Sequence, residues 1–134
     1  MGKREREMHW NMAKTLEQLG GDETLLQEVV DIFLEEAPKH LAALRLAVAQ
    51  GIAETVETTA HTLRGELGYM GLPEISQKAS ELEEMGRSND LRGAASFLSQ
   101  FEADISGLFN SIRSAKAVAL VPHVAVVDSS GAEQ

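Results

Sequence analysis

His61 stands in the run Ala60-His61-Thr62-Leu63-Arg64-Gly65-Glu66-Leu67-Gly68. A neutral imidazole is a nucleophile near neutral pH, and its nitrogen can take a phosphoryl group from an acyl phosphate or a nucleotide. Arg64, within one helical turn, is permanently cationic and can donate two parallel hydrogen bonds to phosphoryl oxygens. Gly65 and Gly68 fall one and two turns beyond His61 on its own face, where each costs about 1 kcal/mol relative to alanine inside a helix. On the residues alone two readings stand. Either the glycines clear the approach to a reactive imidazole, or His61 is an ordinary solvated residue and the glycines mark a close helix contact.

The helix that must present these residues is set by its apolar phase. At about 100° per residue, Ile52, Val56, Ala60, Leu63, Leu67 and Met70 gather in one arc, and His61 points about 215° away from it. His61 therefore faces water, sharing its side with Glu54, Glu57 and Thr58. The helix is expected from Ile52 to about Met70, closed by Gly71. A short helix over Asn11–Leu19 precedes it, ended by Gly20-Gly21. A long one follows, capped by Asp22, stopped by Gly51 and kinked at Pro38, with Leu25, Leu26, Val29, Ile32, Phe33, Leu41, Leu44 and Val48 inward. Pro73 opens a fourth helix with Ile75, Ala79, Leu82 and Met85 on one stripe and its end near Gly86. Ser88-Asn89-Asp90 supplies turn and cap chemistry for a fifth, Leu91 to about Ala115, whose stripe is Leu91, Ala94/Ala95, Leu98, Phe101, Ile105, Leu108 and Ile112.

The fold class is all-α: an antiparallel, up-and-down four-helix bundle with a short extra N-terminal helix over one end. The 134 residues allow one domain, read as a flexible leader over 1–9, the bundle over 10–116 and a flexible tail or linker over 117–134. With 21 acidic and 12 basic side chains the net charge is -9, which argues against nucleic acid and anionic membrane as partners. Without cysteine there is no disulfide or thiolate chemistry. No apolar run approaches ~18 residues and nothing resembles a signal peptide, so a cytoplasmic protein is expected.

The run from Ala60 to Gly71 resembles the motif of the histidine phosphotransfer (HPt) family: histidine, any residue, an aliphatic, lysine or arginine, then glycine. The resemblance extends from about Trp10 to Ser114, through Leu19-Gly20-Gly21-Asp22-Glu23, Phe33-Leu34-Glu35-Glu36-Ala37-Pro38 and Ala79 to Glu83. It implies a four-helix bundle that relays phosphoryl groups between receiver aspartates, a phosphorelay intermediate without kinase or hydrolase activity of its own. His61 is then the phospho-acceptor, Arg64 the stabilising cation, and Gly65 and Gly68 the clearing residues. Glu66 and Leu67 stand where small residues are frequent, and Glu66 adds a charge about 140° from His61.

The implied partners are response-regulator receiver domains and a sensor or hybrid histidine kinase, met by a monomer through the second and third helices. No cofactor is expected on the chain itself, which has no Gly-rich phosphate loop, and Mg²⁺ belongs to the partner receiver. Two other readings keep the helices: the phospho-accepting module of a chemotaxis-type histidine kinase, and a non-catalytic helical interaction module. The remaining residues point elsewhere. His9, His40, His61 and His123 lack metal-ligand spacing. The acid pairs Glu35-Glu36 and Glu83-Glu84 read as solvated helix faces, and Met8, Met12, Met70 and Met85 as packing.

Overall fold

Asn11 and Asp22 start the first two helices through their side chains. In the computed structural model, which describes residues 9–117, Asn11 Oδ1 accepts from the Lys14 amide at 3.1 Å and opens α1, Met12–Gln18. Asp22 Oδ1 accepts from the Leu25 amide at 3.0 Å and opens α2, Glu23–Gln50. Gly51, left-handed at φ 70°, closes α2. Then come α3, Ala53–Tyr69, α4, Pro73–Arg87, with Pro73 in its first turn, and α5, Ala94–Ala115. Each long helix packs on the next, and α5 returns against α2 to close a helical bundle. The leader and tail expected at the ends lie, up to residue 8 and from 118 on, outside the described residues.

Pro38 stands inside α2, which runs through it to Gln50 and is stopped by Gly51 as expected. Three expectations need correction. The buried arc of α2 is Leu26, Val30, Phe33, Ala37, Leu41, Leu44 and Ala47, so Leu25 and Ile32 stay exposed. Ile52 is the N-cap of α3 and is exposed as well. Finally, α5 begins at Ala94 instead of Leu91, because Asn89 and Gly93 both take positive φ and hold the chain out of the helix between them. Asp90 does not cap α5. It accepts from the Arg92 amide and guanidinium, which hold its carboxyl down to about 2.

The core is a continuous set of Leu, Ile, Val, Ala and Phe side chains, with Phe33 and Phe109 tilted against each other at 5.6 Å. Trp10 ties α1 to it. Its indole N–H lies 2.8 Å from Thr15 Oγ1 and 3.2 Å from the Met70 carbonyl, to which the Thr15 hydroxyl also donates at 2.6 Å. The Trp10 amide donates to Ser111 Oγ on α5. Thus the carbonyl of Met70, the C-cap of α3, is satisfied by Trp10 and by Thr15 of α1, and the end of the helix that carries His61 is fixed.

The pair α3 and α4 is the most intimate in the bundle, and Gly86 is the reason. A Cβ at Gly86 would lie 2.5 Å from the Glu57 amide nitrogen and 2.7 Å from the Ala53 carbonyl oxygen, both immovable backbone. Gly86 is therefore a close helix contact in the last turn of α4, which ends at Arg87, near Gly86 as expected. Gly86→Ala is expected to cost about 1–3 kcal/mol, as overpacking does. Thermal unfolding against the parent measures it.

Candidate functional site

Because Val56, Ala60, Leu63 and Leu67 are fully buried, His61 must emerge on the opposite side of α3, and its side chain is 61% exposed. Across from it α4 buries Ala79, Leu82 and Gly86. The close seat of Gly86 beside Glu57 draws the two backbones together one turn away from His61. Glu83, one turn before Gly86, is thereby pressed against the imidazole.

The geometry centres on Glu83. Its Oε2 lies 3.0 Å from His61 Nδ1, its Oε1 accepts from Arg64 Nε at 2.8 Å, and its Oε2 also accepts from Arg87 Nη2 at 3.0 Å. Arg64 Nη2 in turn lies 2.9 Å from His61 Nδ1. Nδ1 can donate to the carboxylate or accept from the guanidinium, but not both. Donation to Glu83 puts the ring in the tautomer with a lone pair on Nε2, the nitrogen of a nucleophile. Burial pushes the Glu83 carboxyl up, yet the hydrogen bonds from His61 and Arg64 and their charge outweigh it, so the group is held below the ordinary carboxylate range.

Of the residues singled out from sequence, His61 and Arg64 meet as expected, while Gly65 and Gly68 settle which kind of glycine they are. A Cβ at either would meet nothing within 4 Å, so neither marks a close helix contact and both leave the face beside His61 bare. Glu66 points away, toward α2. Its Oε2 sits 3.0 Å from His40 Nδ1, and its carboxyl is raised by burial and by Glu36 against the opposing pull of His40.

Two functional candidates escaped the sequence reading. Glu84 is a solvated acid, as read, but Glu83 has a side chain only 8% exposed and is the hub of the site. Arg87 reaches back one turn along α4 to Glu83 and across to α3, with its Nε 3.4 Å from Glu57 Oε2. The signal available was phase: Glu83 directly follows Leu82 on the stripe that Gly86 continues. Among the described residues no His, Asp and Glu side chains gather into a metal-binding group. Met12, Met70 and Met85 pack in or against the core, whereas Met8 and His123 lie outside the described residues.

The cleared face is flanked by two grooves. On the α2 side an apolar groove of about 330 Å³ is lined by Leu25, Val29, Ile32, Glu66 and Tyr69 among others, with Ile32 and Tyr69 well exposed. On the α4 side a polar groove of about 500 Å³ includes Lys14, Gln18, Arg64, Ser76 and Ser80. No helix of the described residues is long and apolar enough to cross a membrane.

Two outcomes follow from this geometry. Gly65→Ala and Gly68→Ala should each stabilise the domain by about 0.5–1 kcal/mol in denaturant unfolding, since the new methyl meets open space in a helix. Glu83, with its carboxyl lowered in the folded state, contributes stability that is present above its ordinary value of 4.5 and is lost as the pH falls through the folded-state value. The stability gap between the parent and Glu83→Gln should hold from neutral pH down to about 4.5 and close below it. Urea unfolding across that range measures it.

Searches of curated proteins and of solved structures returned no match. A family model described as Hpt domain matches residues 28–111, from within α2 to within α5. That span is more than half of the chain and holds His61, Arg64, Glu83 and Arg87 together. The chain belongs to the Hpt domain family, whose members are phosphocarrier modules of two-component signalling.

Proposed function

We propose that His61 accepts a phosphoryl group at Nε2 from a receiver aspartyl phosphate or a sensor kinase and passes it to the aspartate of a response regulator. The observation that carries this is the engagement of Nδ1 by the buried Glu83 carboxylate, which leaves Nε2 as the nucleophile on a ring that is 61% exposed. In the forward step the Nε2 lone pair attacks phosphorus in line, the bond to the aspartyl oxygen breaks, and the carboxylate leaves with its electron pair. Arg64 already touches the imidazole and supplies charge to the equatorial oxygens. Gly65 and Gly68 admit the partner. Mg²⁺ enters with the receiver, held by that domain's own acids.

The apolar groove at Leu25, Ile32 and Tyr69 supports a docking role on one flank of His61, and the polar groove beside Arg64 on the other. An apolar patch with a polar rim suits a transient interface. Tyr69→Ala should weaken partner binding by about 1–2 kcal/mol, read by calorimetry, with little loss of stability because the side chain is exposed.

The deciding experiment mixes the protein with a panel of phosphorylated receivers and, separately, with a kinase core and ATP. Acid-labile, base-stable label on His61 is expected, lost in His61→Gln and slowed about tenfold in Gly68→Ala, equivalent to ~1.4 kcal/mol of barrier. Label from the receivers makes the chain a relay intermediate, and label from kinase and ATP alone makes it the accepting module of a kinase. Absence of label from every donor, with a related Hpt domain labelled in parallel, overturns the proposal.

A further inference from the structure

Arg87 is tied to the same carboxylate oxygen as the imidazole, and that coincidence has a chemical consequence. Arg87 Nη2 and His61 Nδ1 both lie 3.0 Å from Glu83 Oε2. We propose that Arg87 is a positioning residue for His61, acting through Glu83: by sharing Oε2 it weakens the carboxylate's hold on the Nδ1 proton and lengthens the life of a phosphoryl group carried on Nε2. The proposal rests on the reading of His61 as phospho-acceptor.

The chemistry turns on the leaving group. When water attacks the phosphorus of a phosphohistidine, an O–P bond forms, the P–N bond breaks and its electron pair falls on Nε2. If Nδ1 bears a proton, the products are dihydrogen phosphate and neutral imidazole with that proton still on Nδ1. If Nδ1 is bare, the leaving group is an imidazolate, which leaves far more slowly. The occupancy of the Nδ1 proton therefore sets the lifetime, and Glu83 is the group that stabilises it.

Among the described residues, the charged groups at Glu83 come from α3 and α4. From α3 it meets His61 and Arg64, and Glu57 stands behind Arg87. From α4 it meets Arg87, which Glu84 also engages. Arg64 is the cation within reach of phosphoryl oxygens, since its guanidinium already touches the ring. Once it turns to them, Arg87 is the cation left on the carboxylate. A guanidinium on Oε2 offsets the negative charge that would otherwise draw a proton onto Nδ1. Removing it should leave a more strongly protonating carboxylate beside the phosphorylated ring.

The test labels His61 with phosphoramidate, a small P–N donor, and follows decay by ³¹P NMR from acid to alkaline pH. Arg87→Ala is expected to decay several-fold faster than the parent at neutral pH, with the whole pH profile displaced upward, and Arg87→Lys to return close to the parent. Arg87→Gln, which removes the charge and keeps most of the length, gives the same reading should Arg87→Ala fail to fold. Lys78→Ala, which breaks the Lys78–Asp104 tie between α4 and α5 instead, should lower stability without moving the profile. Superimposed profiles for the parent and both uncharged variants overturn the proposal, as does an equal displacement in Lys78→Ala. If the parent His61 takes no label, the phospho-acceptor reading falls and the proposal with it, a result distinct from labelled proteins that decay alike.

Discussion

The distance between the backbones of α3 and α4 governs the site. Gly86 lets the two helices approach until its Cα faces the Glu57 amide and the Ala53 carbonyl, closer than any side chain would permit. One turn along each helix, that approach becomes a 3.0 Å contact between His61 Nδ1 and a carboxylate buried at the interface. Glutamate is short relative to the groove it must cross, so an added ångström or two between the helices would exchange the contact for a water-filled gap. A single missing methyl group on α4 thus fixes the chemistry of a ring on α3.

Glycine does opposite work at two places along the α3–α4 pair. Gly86 is packed so tightly that a methyl has no place, whereas Gly65 and Gly68 border open solvent. The first makes the helices cohere, and the other two leave a helix weaker than alanine would make it in return for a bare surface. At Gly86 close packing offsets the poor helix propensity, whereas at Gly65 and Gly68 no packing does, and a rule of local stability broken without a packing gain is the mark of a surface kept for another use. Two exposed apolar side chains fit the same pattern: Ile32 of α2 and Tyr69 of α3 sit beside the cleared face instead of in the core.

How much of this was legible in the sequence follows from which signals are periodic. The phase of α3 placed His61 outside and Ala60 inside without reference to any partner helix, and Asp22, Gly51 and Pro73 marked their helix ends by known backbone chemistry. What one helix's pattern does not encode is what faces it. Glu83 read as half of a solvated pair because acidity is the commoner reason for Glu-Glu, and only the packing of α4 on α3 buries one member and leaves the other wet. The start of α5 was misread for a different reason: Asn89 and Gly93 adopt left-handed backbone, a choice that a turn-forming sequence permits but does not require. In α2 the apolar residues outnumber the places in the core, and the register among them was decided by the neighbours.

The buried carboxylate has three donors where one would satisfy its charge. Redundancy of this kind allows exchange without exposure: one donor can depart and the oxygen it leaves is still inside a positive surround. Arg64 is the donor with another duty, being half exposed and in contact with the imidazole. If His61 is the phospho-acceptor proposed above, a phosphoryl group on the ring would find a guanidinium that is not bound to Glu83 alone, and the added negative charge would meet a cation while Glu83 keeps its other donors. The reorganisation is then a handover between neighbours, confined to one side chain, and the bundle has no need to move.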